Sequence, residues 1–232
     1  MHYAFIHTHV LNSMKFDLHT HCNQDPCDTW ITYSVNDLVD KAASLRYTHV
    51  AITCHDHVVD ITPYTAYAQD KGVTLIQGCE RTIDGAHVLL YECSWDEVKH
   101  VDTLDKLRVY RKQYPGRVII AAHPFYPGKS CIGNKIYEYQ DCFDAVEHCF
   151  FYTKWFNLNK KAAEFSKRTG IPLVANGDIH DLSLMGRNYT VCTGDPLRAI
   201  KKRKVTVKSV PMTMVEFATL TFKLVFGRFI KQ

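Results

Sequence analysis

His19 and His21, in the segment DLHTH, are spaced so that both side chains could bind one metal ion. In an extended chain, residues i and i+2 point to the same side, so two imidazoles can approach one ion from a single strand end. The same His-Thr-His sequence occurs at His7 and His9, but there it lacks the preceding strand-like run and the Asp. One such pair is a weak signal, and the case for the later pair depends on the rest of the chain.

Histidines and carboxylates also mark the ends of other apolar, strand-like runs. These residues are His55, Glu80, His87, His123, Asp178 and His180. Any one of them alone could be a surface or hydrogen-bonded residue, but independent placement would not repeat the pattern at successive strands. A mixture of nitrogen and oxygen ligands suits Zn, Mn or Fe. The sequence therefore predicts a metal site built from several strand ends.

The segments that must position these side chains alternate between short apolar runs and stretches of helical period. HVAIT, for example, is followed by the segment around TPYTAYAQDKG, and RVIIAAH, CFDAVEH and IPLVANGD are further strand-like runs. Such alternation is typical of βαβ units around a parallel sheet. Ser34, followed by Asp37, has the pattern of a helix-capping box. Polar residues at the ends of different strands favour a barrel over an open sheet, and the first strand has no glycine-rich nucleotide loop.

The composition narrows the class of protein. The chain has 232 residues, 13 histidines, nine cysteines and a formal net charge of +4. The length fits one large domain, and the small positive charge suits an anionic substrate without indicating nucleic acid. An odd number of cysteines without paired spacing argues against a disulfide framework and favours the cytoplasm. The sequence shows no signal-peptide pattern and no apolar run of about 18 residues.

We expect two regions along the chain. Residues 1–13 are interpreted as a leader or N-terminal extension before a second methionine, Met14. Residues 14–232 are expected to form a single domain that includes an apolar C-terminal helix.

The order of the motifs DLHTH, TCHD, GCE, AHP and GDIHD resembles that of the PHP (polymerase and histidinol phosphatase) domain, in particular its small stand-alone metal-dependent phosphoesterases. The resemblance extends from Met14 to about Lys208. It implies a distorted (β/α)7, TIM-like barrel with up to three metal ions at the C-terminal face of the strands. The first ion would be held by His19, His21, Glu80 and Asp178.

The resemblance also assigns ligands to the other two ions. Glu80 would bridge to a second ion held with His87 and His123. His55 and His180 would help to hold a third, together with an acidic residue for which Asp25 and Asp28 compete, with a slight preference for Asp25.

Two residues depart from the family pattern. Cys54 stands where the family commonly has Asp, and we expect it to affect the orientation of its neighbour rather than to bind metal, although a thiolate ligand is the alternative. His57 has no counterpart in the motif and is interpreted as a pocket-lining or solvated residue.

The implied activity is hydrolysis of a phosphate ester, as a phosphatase or a phosphodiesterase, by a hydroxide that a di- or trinuclear site activates. His180 or His57 could donate a proton to the leaving group. Arg81, Lys129 and Arg187 are the candidate phosphate contacts, because each is placed near the predicted face. The substrate is expected to be a small phosphorylated molecule or a short nucleotide.

Two rival functions remain open at this point. The first is an amidohydrolase-type metal barrel, which also begins with a His-x-His pair but would need a bridging lysine and normally a longer chain. The second is a regulatory module that keeps the metal cluster without turnover, against which the nearly full ligand set argues.

Two charged or apolar segments bear on partners. The basic run Lys201-Lys202-Arg203-Lys204 is interpreted as a helix end leading into a strand, so no stable nucleic-acid complex is expected. The segment VEFATLTFKLVFGRFI is interpreted as a packing or self-association surface of a homo-oligomer rather than as a membrane anchor.

Overall fold

The structure is a computed structural model, and it describes residues 13–226, with side chains as far as residue 222. The expected leader, with His2, His7 and His9, lies outside the described residues apart from Ser13, which begins the first strand.

Strands and helices alternate along most of the chain, as the sequence predicts. The strands are β1 Ser13–Asp17, β2 His49–Ile52, β3 Thr74–Ile83, β4 Ala86–Tyr91, β5 Ile119–Ala121, β6 Ala145–His148, β7 Leu173–Ala175, β8 Asn188–Thr193 and β9 Val205–Ser209. The α-helices are α1 Val35–Ser44, α2 Thr62–Asp70, α3 Trp95–Val98, α4 Leu104–Gln113, α5 Asn159–Thr169, α6 Pro196–Lys201 and α7 Met214–Phe226. Short 3-10 helices span Gly133–Tyr137, Gln140–Cys142 and Leu182–Leu184.

Within residues 13–226 the strands form one sheet in the order β7-β6-β5-β4-β3-β2-β1-β8-β9. Strands β1, β2, β3, β5, β6 and β7 run in one direction, because β4 pairs antiparallel with both β3 and β5. β8 pairs antiparallel with β1, and β9 pairs antiparallel with β8, so these two strands extend the sheet beyond β1. The class is therefore α/β, but the described strands do not follow a regular sevenfold β/α repeat.

The sheet curls until its two sides almost meet, which makes it a distorted, TIM-like barrel. Near the end of β7, the Thr190 hydroxyl on β8 donates to the Ala175 carbonyl and accepts from the Ala175 amide. Above β1, the Ile179 amide donates to the His19 carbonyl and the His21 amide donates to the Ile179 carbonyl, both at 3.1 Å. This contact brings the segments that carry His19 and Asp178 side by side.

The β3–β4 hairpin replaces a helical crossover. Its turn is Asp84-Gly85, and both residues have positive φ, 49° and 83°, as a two-residue turn of type I′ requires. β3 also runs past Glu80 to Ile83, so the sequence-based prediction that the strand closes at Glu80 was wrong.

The helices cover the sheet with apolar faces. Ser34 caps the start of α1. Its hydroxyl accepts from the Asp37 amide while the Asp37 carboxylate accepts from the Ser34 amide, which confirms the predicted capping box. The barrel interior is filled by residues from many strands, among them Phe16, Leu89 and Ile120. The basic run at 201–204 is the end of α6 and the turn into β9, as predicted.

Candidate metal centre

Glu80 lies at the centre of the candidate site, on β3, with 1% of its surface exposed. Its Oε2 atom lies 3.1 Å from Nε2 of His19, 3.4 Å from Nε2 of His21 and 3.1 Å from Nε2 of His55. One carboxylate oxygen therefore faces three imidazole nitrogens from two different strand ends.

The other oxygen of Glu80 faces two further histidines. Oε1 lies 2.8 Å from Nδ1 of His87 and 3.4 Å from Nε2 of His123. The antiparallel hairpin returns His87 to the same face as Glu80, although it stands near the start of its strand. The two oxygens of Glu80 thus face two different groups of histidines, which is the arrangement of a bridging carboxylate.

Asp178 completes the first group beyond the end of β7. Its Oδ1 lies 3.3 Å from Nε2 of both His19 and His21. Potential ligand atoms of His19, His21, Glu80 and Asp178 all lie within 4.8 Å of one another. Asp178 and His123 both have positive φ, 45° and 27°, and non-glycine residues in this region tend to cluster at functional sites.

The third group is formed by His55, His180 and the loop after His21. Oδ2 of Asp28 lies 2.8 Å from Nε2 of His180 and 3.7 Å from Nδ1 of His55. His55 is oriented with Nε2 toward Glu80 and Nδ1 toward Asp25 at 2.9 Å. The structure therefore brings all ten predicted ligands into one connected cluster.

Asp25 and Asp28 differ in how fully their oxygens are used. Asp25 accepts from Nδ1 of His21, from Nδ1 and the amide of His55, and from the amides of Cys27 and Asp28. This set of donors occupies both carboxylate oxygens. The Asp28 carboxylate, by contrast, contacts His180, His55 and the Trp30 indole within the described residues. The geometry favours Asp28 as the ligand and Asp25 as the group that orients the two histidines, the reverse of the slight preference from sequence.

The buried polar atoms in the cluster fit divalent ions. Nε2 of His19 and His21, Nδ1 of His87 and both carboxylate oxygens of Glu80 are buried and have no hydrogen-bond partner in the described residues. Buried polar atoms are nearly always hydrogen-bonded, and leaving them unpaired is costly. Nitrogen and oxygen atoms that converge in this way can hold divalent metal ions.

Histidines and carboxylates are crowded together in the site, and their interactions shift the pKa values of several of them. Burial favours neutral groups, but the surrounding carboxylates outweigh it and raise the pKa of His19. A hydrogen bond with Cys131, together with Glu80 and Asp178, raises the pKa of His123. The histidines lower the pKa of Glu80 and Asp178. For His180, burial is likewise outweighed by Asp178 and Asp28, which raise its pKa to about 9. These histidines therefore hold protons that a metal ion would have to displace.

Glu147 is a functional residue that the sequence-based prediction missed. It is fully buried on β6, and it accepts from Nδ1 of His19 at 2.9 Å and from the amide of His123 at 2.8 Å. The Asn176 side chain also donates to it, at 3.0 Å. A carboxylate on the far nitrogen of a ligand histidine fixes the ring and raises its basicity. The signal in the sequence was the acidic Glu147 inside the strand-like run CFDAVEH.

Asp17, the last residue of β1, holds the segments that carry His19 and Asp178. Its carboxylate accepts from the amides of His19 and Gly177, which fixes the chain on both sides of the first metal group. Burial raises the pKa of Asp17 to about 7 despite these hydrogen bonds.

Arg81 does not reach the cluster, so its prediction as a phosphate contact needs correction. Adjacent residues in a strand point to opposite faces, and Glu80 takes the inner face. The Arg81 guanidinium instead pairs with Asp56 and donates to the carbonyls of Val98 and Lys99. It is 7% exposed, which leaves it little room to bind a substrate.

Arg187 and Lys129 have different surroundings. Arg187 directly precedes β8, and its guanidinium pairs with Glu216 on α7. Its role toward a substrate stays a prediction, because it would have to exchange this partner for phosphate. Lys129 lies exposed in the loop after His123.

Cys54 faces another cysteine rather than the metal ligands. Its Sγ lies 3.7 Å from Sγ of Cys22, and both thiols are buried. The contact with Cys22 and burial raise the pKa of Cys54, which disfavours the thiolate alternative. His57 is half-buried and belongs to none of the potential ligand groups among the described residues.

Part of the chain, with several of the candidate ligands, matches the model of a known protein family. The family model of the PHP domain matches residues 17–151, which is more than half of the chain. This stretch runs from the last residue of β1 to just beyond β6, and it includes His19, His21, Glu80 and His123 among the candidate ligands. No curated protein sequence matches the chain.

Several solved structures share the fold. PsfC from Pseudomonas syringae PB-5123 has 13% identity and a TM-score of 0.62, with 94% of this chain and 99% of that chain covered. A protein from Bifidobacterium adolescentis described as a metal-dependent phosphoesterase has 15% identity and a TM-score of 0.55, covering 82% of this chain and 96% of that one. An amidohydrolase from Chromobacterium violaceum with bound sulfate has 14% identity and a TM-score of 0.55, covering 87% and 99%. At such identities the similarity supports the fold alone.

Proposed function

Since the chain belongs to the PHP domain family, we propose that it is a metal-dependent hydrolase of phosphate esters, acting as a phosphatase or a phosphodiesterase. The observation that carries this proposal is the buried Glu80 carboxylate, whose two oxygens face separate groups of imidazole nitrogens. Among these nitrogens, Nε2 of His19 and His21 and Nδ1 of His87 have no hydrogen-bond partner in the described residues. Two or three divalent ions would be held by the clustered histidines and carboxylates other than Asp25, and Zn, Mn and Fe are the candidates.

Divalent ions held in such a site would lower the pKa of water and neutralise charge on phosphate oxygens. The chain's own residues contribute orientation and proton storage. Glu147 holds His19 from behind, and Asp25 holds His21 and His55. Fixed ring orientations keep the ligand set ready without reorganisation during the reaction.

His180 is the candidate proton donor on this face. It is partly exposed, with 21% of its side chain accessible, and Asp28 lies 2.8 Å from its Nε2 atom. Its pKa of about 9 keeps a proton on the ring at neutral pH until an ion displaces that proton or a leaving oxygen accepts it. If His180 binds an ion directly, the half-buried His57 is the alternative donor.

The expected substrate is a small phosphorylated molecule or a short nucleotide, without a stable nucleic-acid complex. Arg187 would contact its phosphate after releasing Glu216. A cytoplasmic location is supported by the cysteines, because all nine lie in the described residues and are free. The described part of the chain contains no helix that is long and apolar enough to cross a membrane. Self-association through α7 remains part of the proposal.

A metal-dependent activity screen tests the proposal. The purified protein would be analysed for bound metals and assayed on phosphate monoesters and diesters with Mn, Zn and Fe added back. We expect tight binding of two or three ions and turnover of a phosphate ester. Tight metal binding without phosphoester turnover would favour the regulatory function, and turnover of amide substrates alone would favour an amidohydrolase.

A further inference from the structure

Four aromatic rings form a stacked series that leads from the buried ligands to the surface. His21 stacks on His55 with ring centroids 4.5 Å apart and on His180 with centroids 4.0 Å apart, at interplanar angles of 26° and 28°. Trp30 continues the series beyond His180, at 5.8 Å and 17°. The series therefore begins among the candidate metal ligands and ends at an indole ring.

The exposed fraction of the side chain increases from His21 through His180 to Trp30. The His21 side chain is 0% exposed and that of His180 is 21% exposed, whereas Trp30 is 46% exposed. His180 lies against the indole, and nearly half of the Trp30 surface remains exposed to a ligand. Trp30 therefore presents a large aromatic surface at the edge of the ligand cluster.

Trp30 is held in place by a residue of the cluster itself. Its Nε1 donates to Oδ1 of Asp28 at 3.1 Å, while Oδ2 of the same carboxylate contacts Nε2 of His180 at 2.8 Å. The Ile31 amide also donates to the Asp28 carbonyl at 2.9 Å, which closes the backbone turn that carries the indole. A ring fixed before binding loses little conformational entropy when a ligand stacks on it.

We propose that Trp30 is a stacking platform that selects phosphate esters whose leaving group carries a flat aromatic ring, such as a nucleobase. This inference rests on the proposed function, because it places the phosphate at the ligand cluster and the ring on the outer part of Trp30. The indole offers the largest aromatic surface for stacking and requires no hydrogen-bond pattern from the ring. It therefore distinguishes ring-bearing from ring-free esters without choosing one base.

A binding comparison tests the platform independently of turnover. The probes are adenosine 5′-monophosphate and ribose 5-phosphate, each with a methylene group in place of the ester oxygen so that it cannot be hydrolysed. They share the same sugar and differ in the base, and their dissociation constants would be measured by calorimetry on Mn-loaded protein. We expect the base to strengthen binding about tenfold in the unmodified protein. Trp30→Ala should remove this preference and leave binding of the ribose probe unchanged, while Trp30→Phe should retain most of the preference.

Trp155→Ala is the matched control, because Trp155 is 86% exposed in the loop after β6. It should behave like the unmodified protein. Equal affinity for the two probes, a preference that survives in Trp30→Ala, or an equal loss of both probes would each overturn the platform. Phosphoester turnover without a ring preference would contradict the platform alone, whereas a ring preference without turnover would contradict the proposed function alone.

Discussion

At the scale of single residues, the site depends on groups that hold the ligands as much as on the ligands themselves. Glu147 accepts a hydrogen bond from His19 on the ring nitrogen opposite the one that faces Glu80. The same carboxylate accepts from the His123 amide and thereby connects two ligand segments. A neutral amide at this position would keep the size of the side chain but lose its charge.

Glu147→Gln should therefore weaken metal binding about 10- to 100-fold. The reason is that His19 would lose the carboxylate that fixes its ring and raises its basicity. Competition with a fluorescent metal chelator would measure the affinity. Glu164→Gln, on the exposed face of α5, is the control and should bind metal normally; equal affinities of the two variants would contradict the role given to Glu147.

Asp25 and Asp28 should respond differently to the same substitution. Asp25→Asn would place an amide among several donors, so we expect a loss of roughly 1–3 kcal/mol in the free energy of unfolding of the metal-free protein. Asp28→Asn should leave that stability nearly unchanged but reduce the number of bound ions. Thermal unfolding and metal analysis of both variants would measure these effects. The reverse pattern would identify Asp25 as the ligand.

The sequence allowed the ligands to be predicted but not the residues that support them. His19 and His21 stand two residues apart at a strand end, and such local spacing can be recognised in the sequence without knowledge of the fold. Glu147 meets His19 only because β6 lies across the barrel from β1, which local patterns do not reveal. Arg81 was assigned to the wrong face although its neighbour Glu80 already occupied the inner one. A stricter use of the two-residue strand period would have avoided that error.

At the scale of elements, the ends of β1 and β7 are locked together beneath the site. The amide of Gly177 donates to the Asp17 carboxylate at 3.0 Å. A Cβ atom at Gly177 would lie 2.7 Å from Oδ2 of Asp17 and 2.2 Å from Cδ1 of Ile179. Glycine is therefore required here for the close approach that positions the neighbouring Asp178.

Gly177→Ala should destabilise the protein by about 1–3 kcal/mol, because the added methyl group overpacks this junction. It should also lower the metal content, since Asp178 would be displaced. Chemical unfolding and metal analysis would measure both effects. Gly116→Ala is the control, because a Cβ there has nothing within 4 Å. A Gly177→Ala protein with normal stability and full metal content would show that the junction tolerates displacement.

The sequence predicted most elements but not how they join. The helical period located α2, the capping box marked the start of α1, and the final apolar segment includes α7. The hairpin of β3 and β4 and the added strands β8 and β9 depend on pairing across the sheet. For that reason the family resemblance predicted a barrel correctly but did not predict the arrangement of its strands.

At the scale of the whole molecule, metal binding and protonation should be linked. In the metal-free protein, nearby carboxylates raise the pKa of His180 from its ordinary value of 6.5 to about 9. Its contribution to stability is thus complete below pH 6.5 and is lost as the pH rises through 9. An ion must displace this proton, so metal binding should become tighter over the same range.

We therefore expect the increase in melting temperature caused by Mn²⁺ to grow between pH 6.5 and pH 9. Calorimetry at pH 7 in buffers of different ionisation enthalpy should show proton release on metal binding. In His180→Ala the release should be smaller. Metal binding that releases no protons at pH 7 would show that the cluster histidines are already neutral.

The central claim is that Glu80 joins at least two ions into one hydrolytic site. A stoichiometric titration of metal-free protein with Mn²⁺, with the rate of phosphate ester hydrolysis followed at each addition, tests it most directly. We predict that activity develops only as the second ion binds and that Glu80→Gln loses both the second ion and hydrolysis. Full activity with one bound ion, or hydrolysis that survives Glu80→Gln, would contradict the claim.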